Sequence, residues 1–217
     1  MARAARSPEA ILRATKEPDF RQERSRRSYL ALLEAATDLF GRHGYDAVGT
    51  PEIAQKAGVS VGTFYRYFED KHEVYLEIAR HSMVQAYAET IEGLTPARFV
   101  GLARRDTIAG AISILFDNVL SRPHLSRSFS EMSLRDPDVA ELRRAFEQIA
   151  VGKLVELITI ICPRDVVPDP EATAWVVYGS VMQGAYSLAE HVGPSPVNAE
   201  RTKKALTDFI ERALFPR

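Results

Sequence analysis

The stretch from Val61 to Tyr67 carries side chains that suit contact with a nucleic acid. If the stretch is helical, its amino-terminal end lies where a recognition helix meets base edges and phosphates, and the groups it presents are Val61, Gly62, Thr63, Tyr65, Arg66 and Tyr67. Arg66 can bond a guanine edge through two hydrogen bonds, or it can lie on a solvated flank, and both alternatives stay open. Val61 can contact a thymine methyl group, which is a weak preference.

The same region contains a pattern that imitates a hydrolase site. Residues 58–62, GVSVG, match the G-x-S-x-G sequence around the serine nucleophile of hydrolases. That nucleophile needs a buried strand before it, whereas residues 53–57 have a helical pattern and no strand–helix alternation surrounds them. Ser60 is therefore predicted to cap the helix that follows it.

The sequence offers no other pattern of catalytic or metal-binding residues. Glu77 and His81 stand four residues apart without a third ligand, which indicates a surface pair. The single cysteine, Cys162, lies in an apolar run and is predicted to be a buried small side chain rather than a redox sensor. Phosphate-binding glycine loops, paired catalytic carboxylates and metalloprotease motifs are missing. We therefore expect no enzyme activity, no metal and no cofactor.

The candidate contact residues need a helix-turn-helix to position them. Such a unit has a small residue facing the second helix, a turn, and an apolar plug that joins the two helices. Ala54 is the small residue, and Gly58 permits the turn because glycine tolerates a positive φ. The plug is predicted to consist of Ile53, Val59, Phe64 and Phe68.

The whole chain has the periodicity of an all-α protein. Apolar residues recur at helical spacing, and no segment shows a sustained alternation of period two. About nine helices are predicted, at residues 25–42, 50–57, 60–68, 70–92, 97–120, 124–135, 137–161, 171–192 and 196–214. The predicted organisation is a basic amino-terminal arm at 1–24, a helix-turn-helix head at 25–71 and a helical ligand-binding and dimerisation domain at 72–217, with helix 72–92 as the connector.

The head resembles the TetR family of bacterial transcriptional regulators. The resemblance rests on ATDLF at 36–40, HGY at 43–45, Thr50, Ile53-Ala54, AGVS at 57–60, GTFY at 62–65, Tyr67-Phe68 and Lys71. It covers about residues 25–78, and beyond residue 80 only the architecture is similar. The resemblance implies an all-α homodimer with a three-helix DNA-reading head, a connecting helix and a divergent ligand-sensing body.

Carried over by position, the resemblance implies phosphate contacts for Thr50, Tyr65, Tyr67 and Lys71, and a groove-facing tip at Val61, Gly62 and Thr63. Ser60, at the start of the reading helix, belongs to the same candidate set. Hydroxyls, an ammonium group and a helix amino terminus are good phosphate partners that carry no sequence information. The alternative for the two tyrosines is packing inside the three-helix core, a role that Phe64 and Phe68 already fill.

The last two helices are predicted to form a homodimer interface. A single head reads about half of a DNA site, so a two-fold dimer on a pseudo-palindrome is expected. Small and large apolar residues on these helices allow a second copy to approach, and the candidates are Gly179, Met182, Leu206, Phe209 and Ile210. The alternative is that these faces only close the core of the monomer.

The helices between residues 97 and 192 hold more apolar and aromatic positions than a minimal bundle face requires. They predict a mostly apolar effector cavity lined by Phe116, Leu120, Phe129, Met132, Phe146, Trp175, Tyr178 and Tyr186. The alternative is a filled core. An effector would act by binding one separation of the two heads better than the other, because only differential affinity shifts a two-state equilibrium.

Composition fits this class of protein. The chain has 217 residues, 46% of them hydrophobic and 26% charged, with a net charge of −1, and no apolar run long enough for a membrane helix. Residues 1–28 hold eight basic and four acidic side chains, so this arm either contacts a polyanion or acts as a solubilising tail. No secretory signal is visible, and we expect a cytoplasmic protein.

These observations predict a sequence-specific, double-stranded DNA-binding transcriptional regulator. We expect a repressor that a small, mostly apolar effector releases from a pseudo-palindromic operator. The alternative is a helical interaction or scaffold protein that uses the amino-terminal head to dock a partner.

Overall fold

A computed structural model of the chain describes residues 7–13, 22–99, 103–190 and 197–216. Within these ranges the protein consists of ten α-helices and one 3-10 turn, Pro96–Phe99, and has no strand. The all-α prediction is therefore confirmed. The helices are α1 Pro8–Arg13, α2 Glu23–His43, α3 Thr50–Lys56, α4 Val61–Tyr67, α5 Lys71–Thr90, α6 Ala103–Ser121, α7 Pro123–Arg135, α8 Pro137–Ile161, α9 Pro170–Glu190 and α10 Ala199–Leu214.

Helix α1 lies inside the region that was predicted as a basic arm. It packs against α8 and touches α5. Leu12 is buried there, and the Ile11 carbonyl accepts a hydrogen bond of 3.3 Å from Arg80 Nε. Residues 8–13 are therefore docked on the body rather than forming part of a free tail. Of the rest of the predicted arm, residues 1–6 and 14–21 lie outside the described residues.

The head consists of α2, α3 and α4 around one apolar core. Tyr29, Leu32, Phe40, Phe64 and Phe68 are all almost fully buried in it. The Tyr29 and Phe68 rings stack with centroids 5.3 Å apart, and the Phe40 and Tyr75 rings meet edge to face at 5.4 Å. Because Tyr75 belongs to α5, the connector helix completes the core of the head.

The body is built from α5 to α10. Helices α6 and α10 pack together, as do α8 and α9, and α6 also packs against α9. Cys162, at the end of α8, is buried as predicted, and its thiol donates to the Leu214 carbonyl at 3.4 Å. Within the described residues, none of the helices has the length and apolar character needed to cross a membrane.

Head and body meet at the corner between α7 and α8. Arg135 Nη2 donates to Asp46 Oδ2 of the α2–α3 loop at 2.8 Å, and His72 Nε2 of α5 lies 2.9 Å from Asp136 Oδ2. Met132 of α7 is buried in the same cluster as the head residues. The apolar core is continuous across this corner, and the domain boundary at residue 71 stays a prediction.

One predicted pair is wrong. Glu77 and His81 were expected to share the surface, but Glu77 is buried and accepts a hydrogen bond of 2.6 Å from Arg80 Nη1. The same arginine reaches the end of α1, so this ion pair lies beneath α1 and not in solvent.

Candidate nucleic-acid interface and ligand cavity

The turn between α3 and α4 has the geometry of a helix-turn-helix. Gly58 has a φ of +68°, which is the left-handed region that glycine adopts without strain. The Val59 N–H then donates to the Ala54 carbonyl at 3.0 Å, which closes the turn. Ser60 caps α4, since its hydroxyl oxygen accepts from the Thr63 N–H at 3.1 Å, as predicted from the sequence.

An apolar plug holds the two helices in this orientation. Ile53, Ala54 and Phe64 are completely buried, and Phe68 is 1% exposed. With Phe64 turned inward, the opposite side of α4 faces solvent, and Val61, Gly62, Tyr65 and Arg66 are exposed there. The first turn of α4 is therefore free to enter a groove, which is the geometry that base readout requires.

Thr50 and Tyr65 form a polar pair where α3 and α4 meet. The Thr50 Oγ1 and the Tyr65 hydroxyl oxygen lie 3.0 Å apart, and Tyr65 is 55% exposed. One of the two hydroxyls donates to the other, which leaves one donor for an external acceptor. The structure thus brings together two of the predicted phosphate contacts at the surface.

Tyr67 lies elsewhere. Its hydroxyl donates to the Ser25 carbonyl at 3.1 Å, and its ring meets Tyr29 edge to face with centroids 5.9 Å apart. The structure therefore favours the alternative of core packing over the predicted phosphate contact for Tyr67.

Lys71 is also engaged inside the protein. Its ammonium group donates to the carbonyls of Tyr45 at 3.0 Å, Asp46 at 3.4 Å and Val48 at 3.0 Å, and lies 4.5 Å from the centre of the Tyr45 ring. An ammonium group has three N–H donors, and all three are used. In this structure Lys71 therefore closes the α2–α3 loop, and its phosphate contact stays a prediction.

A group of potential metal ligands lies at the head–body corner. Atoms of His72, Asp136 and Asp138 come within 4.8 Å of one another. Asp136 Oδ1 already accepts from the backbone N–H groups of Asp138 and Val139, both at 3.0 Å, and so caps α8. The arrangement is explained as a helix cap with a neighbouring histidine.

The body contains a cavity of about 490 Å³ among α5, α6, α7, α8 and α9. Five of the eight residues predicted for a ligand site line it, namely Phe129, Phe146, Trp175, Tyr178 and Tyr186. Burial raises the pKa of Tyr178, so its phenol stays protonated and can donate a hydrogen bond.

The other three predicted lining residues do not line this cavity. Phe116 is completely buried and packs at Gly184, where a Cβ atom would lie 3.4 Å from its ring. Leu120 packs in the core formed by α6, α9 and α10. Met132 packs against the head, and its sulfur accepts from Arg135 Nε at 3.3 Å. Periodicity identified these residues as buried but did not show which of them face a void.

Polar groups on the cavity wall were not predicted. Arg143 Nε donates to Glu147 Oε1 at 3.0 Å, and Arg143 Nη1 donates to Ser133 Oγ at 3.0 Å. Burial alone would lower the pKa of Arg143, but Glu147 raises it above its ordinary value. Arg122 also lines the cavity, at the junction of α6 and α7. The i, i+4 spacing of Arg143 and Glu147 was the one available signal, because it indicates an ion pair on a single helix face.

A second, smaller chamber of about 90 Å³ lies beside it in the body. It shares Thr90, Ile91, Leu115 and Tyr178 with the wall of the larger cavity. Apart from Thr90 and Tyr178, its lining is entirely apolar. The two spaces therefore combine a partly polar chamber with an apolar one.

Comparison with known proteins agrees with this geometry. The family described as bacterial regulatory proteins, tetR family, matches residues 32–78. These residues contain α3, α4, their turn and most of α2, that is, the reading helix together with the elements that hold it. The head of the chain is therefore similar to that of the tetR family. The match supports the prediction that the chain is not an enzyme.

Similar proteins extend beyond the head. The fatty acid metabolism regulator protein of Bacillus subtilis (strain 168) is 26% identical over 61% of this chain and 65% of its own length. The HTH-type transcriptional activator FasR of Mycolicibacterium smegmatis is 33% identical over 59% of this chain and 57% of its own length. The chain thus spans less than two thirds of either relative. A crystal structure of a TetR-family transcriptional regulator from Mesorhizobium loti superposes with a TM-score of 0.71 at 22% identity, covering 89% of this chain and 98% of that one, which supports the fold.

The predicted dimer residues fall into two groups. Ile210 is buried beside the small chamber, Met182 lines the large cavity, and Leu206 packs inside the protomer at Gly184. The predicted interface role is contradicted for Ile210, because only 4% of its surface is exposed. Gly179 lies on the exposed side of α9, and Phe209 is 51% exposed on α10.

Proposed function

We propose that this chain is a sequence-specific DNA-binding transcriptional regulator, and that it acts as a repressor released from its operator by a small, mostly apolar effector. The observation that carries the proposal is the exposed first turn of α4, capped by Ser60 and backed by the fully buried Phe64. A rigid helix tip with hydroxyl, guanidinium and apolar groups on one side matches what major-groove readout requires.

The proposal that an effector controls DNA binding rests on residues that line the cavity and also pack against the head. Tyr75 lines the cavity, is 1% exposed and packs edge to face on Phe40 and Tyr45 of the head. Phe129 also lines the cavity and packs against the head core. A molecule in the cavity therefore touches residues that set the position of the head. Occupancy changes DNA affinity if the molecule prefers one head position over the other.

A homodimer is part of the same proposal. Trp175 and Val176 on α9 and Phe209 on α10 are each more than half exposed, which is unusual for large apolar side chains. A second copy that covers these residues would pair two heads across a pseudo-palindrome. Light scattering at micromolar protein should give twice the mass of the chain, and a Phe209→Glu variant should shift that mass toward the monomer. A monomeric mass for the unaltered protein would contradict the dimer.

The DNA-binding proposal is tested with fragments of the protein's own promoter region, in an anisotropy titration at several salt concentrations. Phosphate contacts release counterions, so log K should fall linearly with log salt. Arg66→Ala is compared with Arg164→Ala, an exposed arginine beyond the end of α8 that loses the same charge. Only Arg66→Ala should weaken binding. If no salt-sensitive, sequence-selective complex forms, the scaffold function replaces this proposal.

The Arg66 variant also separates two roles for this side chain. If Arg66 bonds a guanine edge, its loss should relax preference at one base pair by about 1–3 kcal/mol. If it lies near the phosphates, its loss should weaken all sequences equally and lower the salt slope by about one.

A further inference from the structure

Helix α1 is short, yet its start is well defined. The Ser7 hydroxyl oxygen accepts from the Ala10 N–H at 3.2 Å, and Pro8 and Glu9 occupy the first two helical positions, where both residue types are favoured. A helix of six residues is not stable alone in water. The helical state of α1 therefore depends on the surface that receives it.

The surface that receives α1 is a groove between α5 and α8, which also pack against each other. Leu142, Phe146 and Ala150 follow one another at a spacing of four residues and therefore line one face of α8. Leu12 of α1 is buried in one cluster with these residues and with Ala79 of α5. The small side chains of Ala79 and Ala150 leave room for the backbone of α1, so α1 joins α5 to α8.

A charged contact fixes the carboxyl end of α1. Arg80 Nε donates to the Ile11 carbonyl at 3.3 Å, and Arg80 Nη1 donates to Glu77 Oε2 at 2.6 Å. The side chains of Arg80 and Glu77 are only 16% and 7% exposed. A cation is favourable at the carbonyl end of a helix, and a buried ion pair tolerates little displacement because each charge depends on its partner. Arg80 therefore holds α1 at one place on α5.

The other face of α5 belongs to the head. Val74, Tyr75 and Ile78 are buried in the same core as Phe40. Arg80 follows Ile78 by two positions, which is roughly 200° around a helix. The connector is thus held between the head core and α1. Because such cores are close-packed, a displacement of α5 displaces the head.

We propose that Leu12 and Arg80 are positioning residues for DNA binding: through α1 they hold α5 against α8, and so they fix the orientation of the head that reads an operator. This role concerns the chain without a ligand and rests on the proposed function, so it is measured both without and with DNA. If α1 only covers apolar surface, its loss lowers stability but leaves α5 and the head as they are.

Hydrogen exchange with mass spectrometry on the full chain measures the effect on α5 without DNA. Leu12→Ala removes the side chain that anchors α1, and Leu134→Ala, a leucine of α7 that is 87% exposed, is the matched control. Amides of α5 should exchange about tenfold faster in Leu12→Ala, because local opening becomes easier, and at the original rate in Leu134→Ala. Faster exchange confined to α1, or no change in either helix, would overturn the proposal.

The distance between two half-sites measures the effect on the head. A dimer with fixed heads reads one spacing, so inserting one base pair between the half-sites should weaken binding by the unaltered protein about tenfold or more. In Leu12→Ala this discrimination should shrink to about threefold or less, whereas affinity for a single half-site should be unchanged. An equal loss on the full site and the half-site, or unaltered discrimination in Leu12→Ala, would contradict the positioning role.

Arg80→Gln tests the charged contact, and Arg144→Gln, an exposed arginine of α8, is the control. Arg80→Gln should reproduce the loss of spacing discrimination, and Arg80→Lys, which keeps a cationic donor, should restore most of it. If Arg80→Gln does not fold, Leu12→Ala with its control decides alone.

The double variant Leu12→Ala/Arg80→Gln should lose no more discrimination than the larger single effect, since both changes release the same helix. Additive losses would overturn the shared action through α1. If no sequence-selective complex forms, the proposed function fails, whereas normal operator binding with unchanged spacing discrimination in the variants refutes only the role of α1.

Discussion

The hydroxyl oxygens of Thr50 and Tyr65 lie 3.0 Å apart, at the point where the first turn of α3 faces the middle of α4. The two residues are fifteen positions apart and belong to the two helices of the helix-turn-helix, so their contact depends on the turn at Gly58. The contact between Thr50 and Tyr65 therefore presents one hydrogen-bonded pair to a DNA backbone instead of two independent side chains.

Tyr65→Phe should separate hydrogen bonding from charge in this contact. The ring remains, but the hydroxyl is lost, so affinity should fall by about 1 kcal/mol for specific and non-specific DNA alike. The salt slope should stay the same, because a neutral hydroxyl releases no counterion. Anisotropy titrations at several salt concentrations measure both quantities. Tyr87→Phe, on the connector helix away from the head, is the control, and equal losses in the two variants would refute the contact.

Lys71→Met should lower stability rather than change the salt dependence of DNA binding. The variant leaves the carbonyls of Tyr45 and Val48 without their donor, and an unsatisfied partly buried acceptor costs about 1–3 kcal/mol. Urea unfolding measures the loss, and Lys153→Met, which breaks an exposed ion pair, is the control. A normal stability together with a salt slope reduced by about one would restore Lys71 as a phosphate contact.

Lys71 and Tyr67 show what the sequence could and could not predict. The turn, the plug and the Ser60 cap depend on residues within about fifteen positions of one another, and local spacing is sufficient for such contacts. The Lys71 acceptors lie 23 to 26 residues away and the Tyr67 acceptor 42 residues away. Periodicity contains no information about contacts at that separation, so it could not show that these two side chains also bond inside the protein.

The cavity shows the same limit. Phe129 and Phe116 are both aromatic residues on neighbouring helices, yet only Phe129 faces the void. Whether a buried side chain meets a cavity or another side chain depends on the packing of several helices together. Helix α1 was missed for a related reason, since six residues are too few for a periodic pattern and the helix depends on docking.

Asp136 should make stability depend on pH in the acid range. Burial raises its pKa, but hydrogen bonds from the Val139 and Asp138 N–H groups and the neighbouring His72 together lower it below the ordinary value of 3.8. A carboxyl group with a lowered folded pKa stabilises the fold fully above its unfolded pKa, and this contribution disappears as the pH falls through the folded value.

Asp136→Ala should therefore cost about 1 kcal/mol at pH 7, where the charged cap is intact, and progressively less below pH 3.8. Asp136→Asn keeps a capping oxygen and should cost less at pH 7. Urea unfolding of the three proteins at pH 7 and near pH 3 measures the difference. A cost for Asp136→Ala that is independent of pH would show that the carboxylate charge contributes nothing.

The contact between α1 and the body can be tested at Leu12. Leu12 is 7% exposed and packs in one cluster with Phe146 and Tyr178, which also line the effector cavity. Leu12→Glu places a charge in that cluster, so α1 should leave α8, trypsin should cleave after Arg13 faster, and affinity for cavity ligands should change. Ala10→Glu introduces the same charge on the exposed side of α1 and should change neither. If α1 leaves α8 as a unit in this variant, the free energy of unfolding should fall by less than the 2–5 kcal/mol of a fixed core truncation. Equal cleavage rates and ligand affinities in the two variants would show that α1 is not held by Leu12.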